Sequence, residues 1–179
     1  YFYLANDFTF TASSASICAN SSVNLTASGA SSYTWSSGNY TSSTVTFYQS
    51  SGTVYTVTGS NGVGCNGTAT VAIAVFALPQ VNITPSLTTV CSGGNVTLSI
   101  NGANTYSWSN GSTGNSIVIS PTATTSYSAV GTDTNNCASS ALSVILTNSL
   151  PLISATASSA SVCPGDALTL SAGGASSYT

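Results

Sequence analysis

Residues 18–38 read CANSSVNLTASGASSYTWSSG, and residues 91–111 read CSGGNVTLSINGANTYSWSNG. The two segments share the pattern Cys-x4-Val-x-Leu-x3-Gly-x3-Tyr-x-Trp-x2-Gly, with a period of about 72 residues. A third copy begins at Cys163 and reaches Tyr178, with Leu168 in the place of valine. A period of this size is typical of an array of small domains, which indicates a spacer, stalk or fibre rather than an enzyme.

The rest of each unit repeats as well, and this sets the predicted domain boundaries. Tyr55 corresponds to Tyr127, and Pro79 corresponds to Pro151. The repeats predict the last strand of a preceding unit at 1–7, complete units at 8–79 and 80–151, and the front part of a further, truncated unit at 152–179. We expect the parent chain to continue with tryptophan and to carry another cysteine about 46 residues after Cys163.

Charged side chains are almost absent. The 179 residues include no Lys, Arg or His, and Asp7, Asp133 and Asp166 supply the formal net charge of -3. Because no cationic side chain can neutralise phosphates or attract anionic headgroups, we expect neither nucleic acid nor an acidic membrane surface as a partner. The hydrophobic fraction of 42% argues against disorder, and the longest apolar run, 69–78, is too short to insert into a membrane.

The hydrophobic pattern predicts an all-β chain. Runs rich in Val, Ile, Thr, Tyr and Phe recur between clusters of Gly, Asn and Ser, and no segment shows a sustained helical period. The short strands in each unit predict a small β-sandwich, with half-buried sheets where apolar and polar residues alternate. In the first unit we expect strands at 8–13, 22–28, 32–36, 44–48, 53–59 and 67–77, and the second unit should repeat them.

The order Cys, Leu, Tyr-x-Trp, Tyr-x-Val, Cys, followed by a valine-rich strand and Pro, resembles the immunoglobulin-like (PKD-like) repeats of large secreted and surface adhesins of Bacteroidetes, including chains exported by type IX secretion. The resemblance covers essentially the whole chain. It implies tandem immunoglobulin-like β-sandwich domains at the cell surface, and it implies little about a ligand because a fold alone does not define a function.

The same resemblance implies roles for the aromatic residues that recur in each unit. Trp35 and Trp108 would be the core tryptophans of the third strand, and Tyr55 and Tyr127 would be the tyrosines of the penultimate strand. Leu25 and Leu98 complete the predicted core, and Pro79 and Pro151 would mark the domain junctions. Aromatic residues at core spacing favour packing over a sugar-binding platform, although a platform stays open.

The cysteines indicate an oxidising compartment. No two cysteines are close in sequence and no histidine is present, so neither a zinc site nor a CxxC redox motif has its ligands. We expect one disulfide per repeat, Cys18 with Cys65 and Cys91 with Cys137, each pinning one end of its sandwich. Cys163 lacks a partner, either because its unit is truncated or because it is a free or intermolecular thiol.

Catalysis lacks the necessary residues. A nucleophilic triad needs a base, and the chain has no histidine or lysine; the three aspartates occupy non-equivalent positions, so no carboxylate pair is expected. We therefore expect no enzyme, no cofactor and no metal site. Asp133 and Asp166 could contribute to a calcium site or form turns, and the single carboxylates favour turns.

Asn-x-Ser/Thr sequences make several asparagines candidate glycosylation sites, although a chain so rich in serine and threonine produces such sequences by chance. A glycan coat would shield β-strand edges that no charged residue protects. The candidates are Asn20, Asn24, Asn39, Asn66, Asn82, Asn95 and Asn110.

The last strand of the first unit is apolar on both faces, unlike its counterpart in the second unit. We expect such a strand to be buried or to be covered by a neighbour, because an uncharged exposed edge pairs with other chains. Phe76, Ala74 and, in the preceding unit, Phe2 are the candidate assembly contacts, with neighbouring repeats or copies of the chain as partners.

Two functional classes remain. The leading interpretation is a non-enzymatic structural repeat of an extracellular adhesin stalk or filament. The alternative is a glycan- or surface-binding module within a secreted multidomain protein, in which exposed Tyr and Asn residues would contact surface glycans.

Overall fold

The computed structural model describes residues 9–12, 15–62 and 64–179. All regular secondary structure within these residues is β-strand. Numbered along the chain, the strands are β1 (Thr9–Ala12), β2 (Ser16–Cys18), β3 (Ser21–Ser28), β4 (Ser32–Trp35), β5 (Thr44–Gln49), β6 (Thr53–Ser60), β7 (Asn66–Phe76), β8 (Asn82–Pro85), β9 (Thr89–Cys91), β10 (Val96–Asn101), β11 (Thr105–Trp108), β12 (Ser116–Ile119), β13 (Thr125–Thr132), β14 (Ala138–Asn148), β15 (Ser154–Ala157) and β16 (Leu170–Gly173).

The first seven strands form two sheets. One sheet has the order β1-β3-β5 and the other the order β2-β7-β6-β4. All their pairings are antiparallel except that of β2 with β7, which is parallel. The next seven strands repeat this arrangement, with β8-β10-β12 in one sheet and β9-β14-β13-β11 in the other, and β9 again runs parallel to β14.

Alternation of apolar and polar residues gives each sheet one buried face. In β3, Val23, Leu25 and Ala27 are buried while the residues between them are exposed. Phe47 of one sheet stacks on Tyr55 of the other, with ring centroids 4.4 Å apart, so the two sheets pack face to face. Burying a side chain such as Leu25 stabilises the sandwich by about 2 kcal/mol.

Each sandwich has its own core. The first core contains Trp35, Tyr55 and Leu25, and the second contains Trp108 and Leu98; Tyr127 is half-buried at the edge of the second core. The side chains assigned to the core from the sequence therefore lie there, with Tyr127 less enclosed than its counterpart Tyr55.

The strand order is that of an immunoglobulin-like sandwich. A three-stranded sheet faces a sheet in which the last strand pairs on one side with its hairpin partner and on the other side with a short strand near the start of the unit. The all-β, immunoglobulin-like prediction is confirmed. The strands expected from the sequence match those of the structure to within a few residues, except that β2 and β9 were not expected.

The predicted assembly strand is arranged differently from the expectation. β7 lies between β6 and β2, but neither neighbour pairs along its whole length: residues 66–73 pair with β6, and residues 74–76 pair with β2. The side chains on the outer face of β7 are exposed to solvent in the single chain: Ala74 is exposed, and Phe76 is 36% exposed. The expectation that this strand is buried within its own domain is wrong, because the sandwich has two sheets and no third layer over the outer face of β7. Cover of this face by another copy of the chain stays a prediction. Phe2 lies outside the described residues.

The segment after the second sandwich starts the same pattern a third time. β15 pairs antiparallel with β16, with Ser154 opposite Gly173, as β8 pairs with β10 with Asn82 opposite Asn101. The hydroxyl of Tyr178 accepts a hydrogen bond from the backbone N–H of Ala175, at 2.9 Å, as the hydroxyl of Tyr106 does from Ala103 at 2.8 Å.

Candidate functional site

The candidate site is the junction between the two sandwiches. Its first component is the end of β2. Cys18 lies opposite Phe76, the last residue of β7. The backbone N–H of Ala19 donates to the carbonyl of Phe76 at 2.8 Å, which extends the parallel pairing past the cysteine. Cys18 is therefore held at the end of the first sandwich from which the chain leaves.

The second component is the turn between β13 and β14. A carboxylate oxygen of Asp133 accepts hydrogen bonds from the backbone N–H groups of Asn135, at 2.8 Å, and Cys137, at 2.9 Å. Asn136 has a φ of 61°, a conformation that asparagine tolerates. The turn places Cys137 directly before the first residue of β14 and buries it completely.

Cys18 and Cys137 form a disulfide bond that joins the two sandwiches. Their Cα atoms are 5.5 Å apart, a normal separation for a disulfide, although 119 positions separate them in the chain. The predicted pairings, Cys18 with Cys65 and Cys91 with Cys137, are wrong. Cys65 and Cys91 are exposed thiols in this structure, as is Cys163.

The reason is the length of the last strand in each sandwich. Cys65 immediately precedes β7, whereas Cys18 lies opposite its last residue, and β7 is 11 residues long. A strand rises about 3.3 Å per residue, so roughly 33 Å separate the two ends. A disulfide requires Cα atoms within about 7 Å, so the cysteines of one unit cannot reach each other.

The linker between the sandwiches, residues 77–81, packs against the second sandwich. The hydroxyl of Ser139 donates to the carbonyl of Pro79 at 2.5 Å, and Pro79 is buried. Gly102 has a φ of +97°, and a Cβ there would collide with the carbonyl of Gln80. Val81 lies against Gly131, where an added Cβ would be 2.7 Å from its Cγ2 atom. A disulfide, a hydrogen bond and close contacts of the linker with two glycines of the second sandwich therefore fix this junction.

A groove on the second sandwich is a further candidate site. Its volume is about 770 Å³, and its lining includes the amide side chains of Asn101, Asn104 and Asn115 together with Tyr106. The hydroxyl of Tyr106 donates to the carbonyl of Ala103 at 2.7 Å, so the ring is fixed. Amide groups can both donate to and accept from hydroxyl groups.

The buried tyrosine of the first core has a perturbed acidity. Burial, with a smaller contribution from the neighbouring Tyr40, raises the pKa of Tyr55 above its ordinary value. The hydroxyl accepts a hydrogen bond from the side-chain amide of Gln49. The raised pKa makes the stability of the first sandwich depend on alkaline pH.

Metal and modification sites were also considered from the sequence. Within residues 9–12, 15–62 and 64–179, no three side chains of His, Cys, Asp or Glu lie close enough together to hold a metal ion. Asp133 shapes the turn described above, and the backbone N–H of Asp166 likewise closes a turn onto the carbonyl of Cys163 at 3.1 Å.

The candidate glycosylation sites are all on the surface. The asparagines Asn20, Asn24, Asn39, Asn66, Asn82, Asn95 and Asn110 are exposed.

The part of the chain that the structure describes contains no helix with the length and hydrophobicity of a membrane span.

Several parts of the junction were not predicted from the sequence: the hydrogen bond of Ser139, the close contacts at Gly102 and Gly131, and the disulfide between two different units. The position of Cys65, well beyond Tyr55 and past a turn, was a usable signal, because it places the second cysteine of a unit at the start of the last strand. The missing information was the position of Cys18 on β2.

Comparison with known proteins gives structural likeness alone. Murine CEACAM1b matches with a TM-score of 0.37 and 13% identity, covering 80% of this chain and 100% of that chain. An amphioxus IgVJ-C2 molecule matches with a TM-score of 0.34 and 13% identity, covering 73% and 99%. A Bacteroides ovatus glucan-utilisation protein, SGBP-B, in complex with a mixed-linkage heptasaccharide, matches with a TM-score of 0.23 and 13% identity, covering 75% and 43%. No protein-family model and no curated protein matches the sequence.

Proposed function

We propose that this chain is a non-enzymatic structural part of an extracellular stalk or filament, of the kind found in the Bacteroidetes adhesins that its repeats resemble. The observation that carries this proposal is the disulfide between Cys18 and Cys137, which joins successive sandwiches covalently. Disulfides persist in oxidising compartments, which supports an extracellular location.

The disulfide gives the junction a mechanical role. Tension applied to the two ends of the chain passes from Cys18 directly to Cys137, so the residues between them carry no load while the bond is intact. Most of the two hydrophobic cores lies within that protected loop. The packed linker restricts bending at the same place. A spacer that keeps a terminal domain at a fixed distance needs both properties.

Force spectroscopy on single molecules tests the proposal. Pulling the oxidised chain from its ends should leave the loop between Cys18 and Cys137 folded or inextensible. A reducing agent should release about 400 Å of additional contour length, because a fully extended chain spans about 3.4 Å per residue over the 119 positions.

The Cys18→Ser/Cys137→Ser double variant should release this length without a reducing agent, and the Cys65→Ser variant serves as the matched control. Equal extension of the oxidised and reduced wild-type chains would mean that the bond carries no load, and the stalk proposal would be lost. Electron microscopy should show oxidised molecules with a narrower distribution of end-to-end distances than the double variant.

Glycan binding is the second candidate, supported by the groove that Asn101, Asn104 and Asn115 line. Its volume is within the range of small-molecule sites, and its amide groups suit the hydroxyls of a sugar. Calorimetry with soluble oligosaccharides should detect binding that the Asn104→Ala/Asn115→Ala variant loses and the Asn39→Ala variant keeps. Identical titrations for all three proteins would remove this candidate.

A further inference from the structure

The end of the second sandwich repeats the features that hold Cys18 at the end of the first. Cys91 lies opposite Asn148, the last residue of β14. The backbone N–H of Ser92 donates to the carbonyl of Asn148 at 2.9 Å, just as Ala19 donates to Phe76 at 2.8 Å. Cys91 therefore occupies the position of Cys18, one unit further along, and its side chain is exposed.

The chain that leaves the second sandwich also follows the course of the first linker. A Cβ on Gly174 would collide with the carbonyl of Leu152, as a Cβ on Gly102 would collide with that of Gln80. The two glycines have φ values of +95° and +97°. The second junction thus repeats one backbone feature of the disulfide-containing junction on each side of the linker: the pairing at Cys91 and the close contact at Gly174.

The turn that supplies the other half of the bond is likewise present in more than one copy. The backbone N–H of Cys65 donates to the side-chain oxygen of Asn61 at 3.2 Å, as that of Cys137 donates to Asp133 at 2.9 Å. Cys65 therefore has the setting of Cys137 at the start of the first sandwich, and it too is exposed. Cys91 therefore resembles Cys18, and Cys65 resembles Cys137. The pair of sandwiches carries one half of such a disulfide at each end.

We propose that Cys91 is one half of a second junction disulfide, whose other half is the turn cysteine of a unit of the same type stacked on the C-terminal side of the second sandwich. That cysteine would follow an Asn or Asp by four residues, as Cys65 and Cys137 do. Repetition at each junction would form a ladder of disulfides, with Cys65 bonded to a preceding unit. The inference deepens the stalk proposal and rests on it for the use of such a ladder.

The reaction is an ordinary thiol oxidation. Two thiols lose two protons and two electrons as the S–S bond forms, and a disulfide of an oxidising partner protein accepts them and becomes two thiols. Two sources of the partner cysteine share this chemistry: a unit further along the same polypeptide, and a second copy that presents Cys65. The course of the linker at Leu152 and Gly174 favours the same polypeptide.

Disulfide mapping of the protein isolated from its natural source tests the proposal. Thiols are blocked with N-ethylmaleimide before unfolding in acid, and the protein is digested with pepsin, because a chain with no Lys or Arg has no trypsin site. The Cys91 peptide should be disulfide-bonded to a peptide with the Asn/Asp-x3-Cys sequence. A maleimide adduct on Cys91, or a bond from Cys91 to Cys137 or Cys163, would overturn the proposal.

Non-reducing electrophoresis distinguishes the two sources. A bond within one polypeptide leaves the molecular mass unchanged on reduction, whereas a bond between copies gives oligomers that reduction converts to monomers. Either result supports the shared chemistry and identifies the source.

A pair of glycine variants tests whether the linker geometry directs the bond. Gly174 and Gly165 both have positive φ, but only Gly174 is in close contact with the linker. Gly174→Ala should lower the disulfide-bonded fraction of Cys91 at least several-fold, and Gly165→Ala should leave it unchanged. The Cys18–Cys137 bond, which should stay complete in both variants, is the internal control.

The two proposals fail in different ways. If Cys91 is a free thiol while the Cys18–Cys137 bond still carries tension, the ladder is wrong and the stalk function stands. If Cys91 is bonded as proposed but the force measurements show no protected loop, the cross-links exist and the stalk function is wrong.

Discussion

The sulfur atoms of Cys18 and Cys137 are bonded to each other, so the end of one sandwich is joined to the turn that opens the last strand of the next. The bond therefore cross-links two sandwiches that have separate hydrophobic cores. It also accounts for the thiols that remain, because the same geometry leaves Cys65 and Cys91 at opposite ends of the pair of sandwiches.

Removal of this bond should reduce stability. On the chain-entropy model, a disulfide that closes a loop of 119 positions contributes about 5 kcal/mol. We expect the Cys18→Ser/Cys137→Ser variant to lose a large part of this amount in urea denaturation, while the hydrophobic cores keep it folded. Cys65→Ser/Cys91→Ser should match the monomeric wild type. A double variant as stable as the wild type would show that the two sandwiches gain nothing from the link.

The close approach at Gly102 should make this position sensitive to any side chain. Gly102 and Gly111 both have positive φ, +97° and +84°, but nothing lies within 4 Å of a Cβ added at Gly111. Gly111→Ala should cost about 1 kcal/mol for the backbone conformation alone. Gly102→Ala should cost about 3 kcal/mol, because the linker must also move. Urea denaturation followed by tryptophan fluorescence measures both, and equal losses would contradict the packed linker.

Positions on opposite faces of β14 should differ sharply in their tolerance to substitution. Ile145 is fully buried in the second core, whereas Leu142, on the opposite face, is 66% exposed. Ile145→Ala should therefore destabilise the second sandwich by about 3 kcal/mol, and Leu142→Ala should change its stability by less than about 1 kcal/mol. Thermal unfolding of the two variants side by side is the measurement. The reverse order would place β14 in the opposite register.

Alkaline pH should destabilise the first sandwich through Tyr55. Burial raises the pKa of Tyr55 in the folded state above its ordinary value of 10.0. Below about pH 10 both the folded and unfolded states hold this proton, so the contribution to stability is complete; above it the unfolded state ionises first, and stability is lost as the pH rises towards the folded pKa. The measurement is the denaturation midpoint at several values between about pH 8 and about pH 12, a range that spans the ordinary pKa of tyrosine.

The Tyr55→Phe variant should lose less stability than the wild type over the same rise in pH. Tyr48→Phe, at a position that is 76% exposed, is the control and should follow the wild type. If Tyr55→Phe and the wild type decline in parallel, ionisation of the buried tyrosine does not explain the alkaline limit.

The sequence by itself determined the longer strands and the side chains of the two cores. The alternation of apolar and polar residues in β3 predicts which side chains are buried, because successive side chains of a strand point to opposite faces. The repeated Tyr-x-Trp places Trp35 and Trp108 at equivalent core positions, where the structure has them. Such patterns can be read locally because the alternation of side chains between the two faces is a property of the strand itself.

Only the tertiary structure decided which cysteines meet and which strands pair with each end of β7. β2 is three residues long, too short for a periodic pattern, and it pairs in parallel with the end of a strand far along the chain. That pairing places Cys18 roughly 33 Å from Cys65 and next to Cys137, and it gives the last three residues of β7 a partner beyond the point where β6 ends. Sequence spacing gives the number of residues between two cysteines, but the distance between them depends on the direction in which each strand runs.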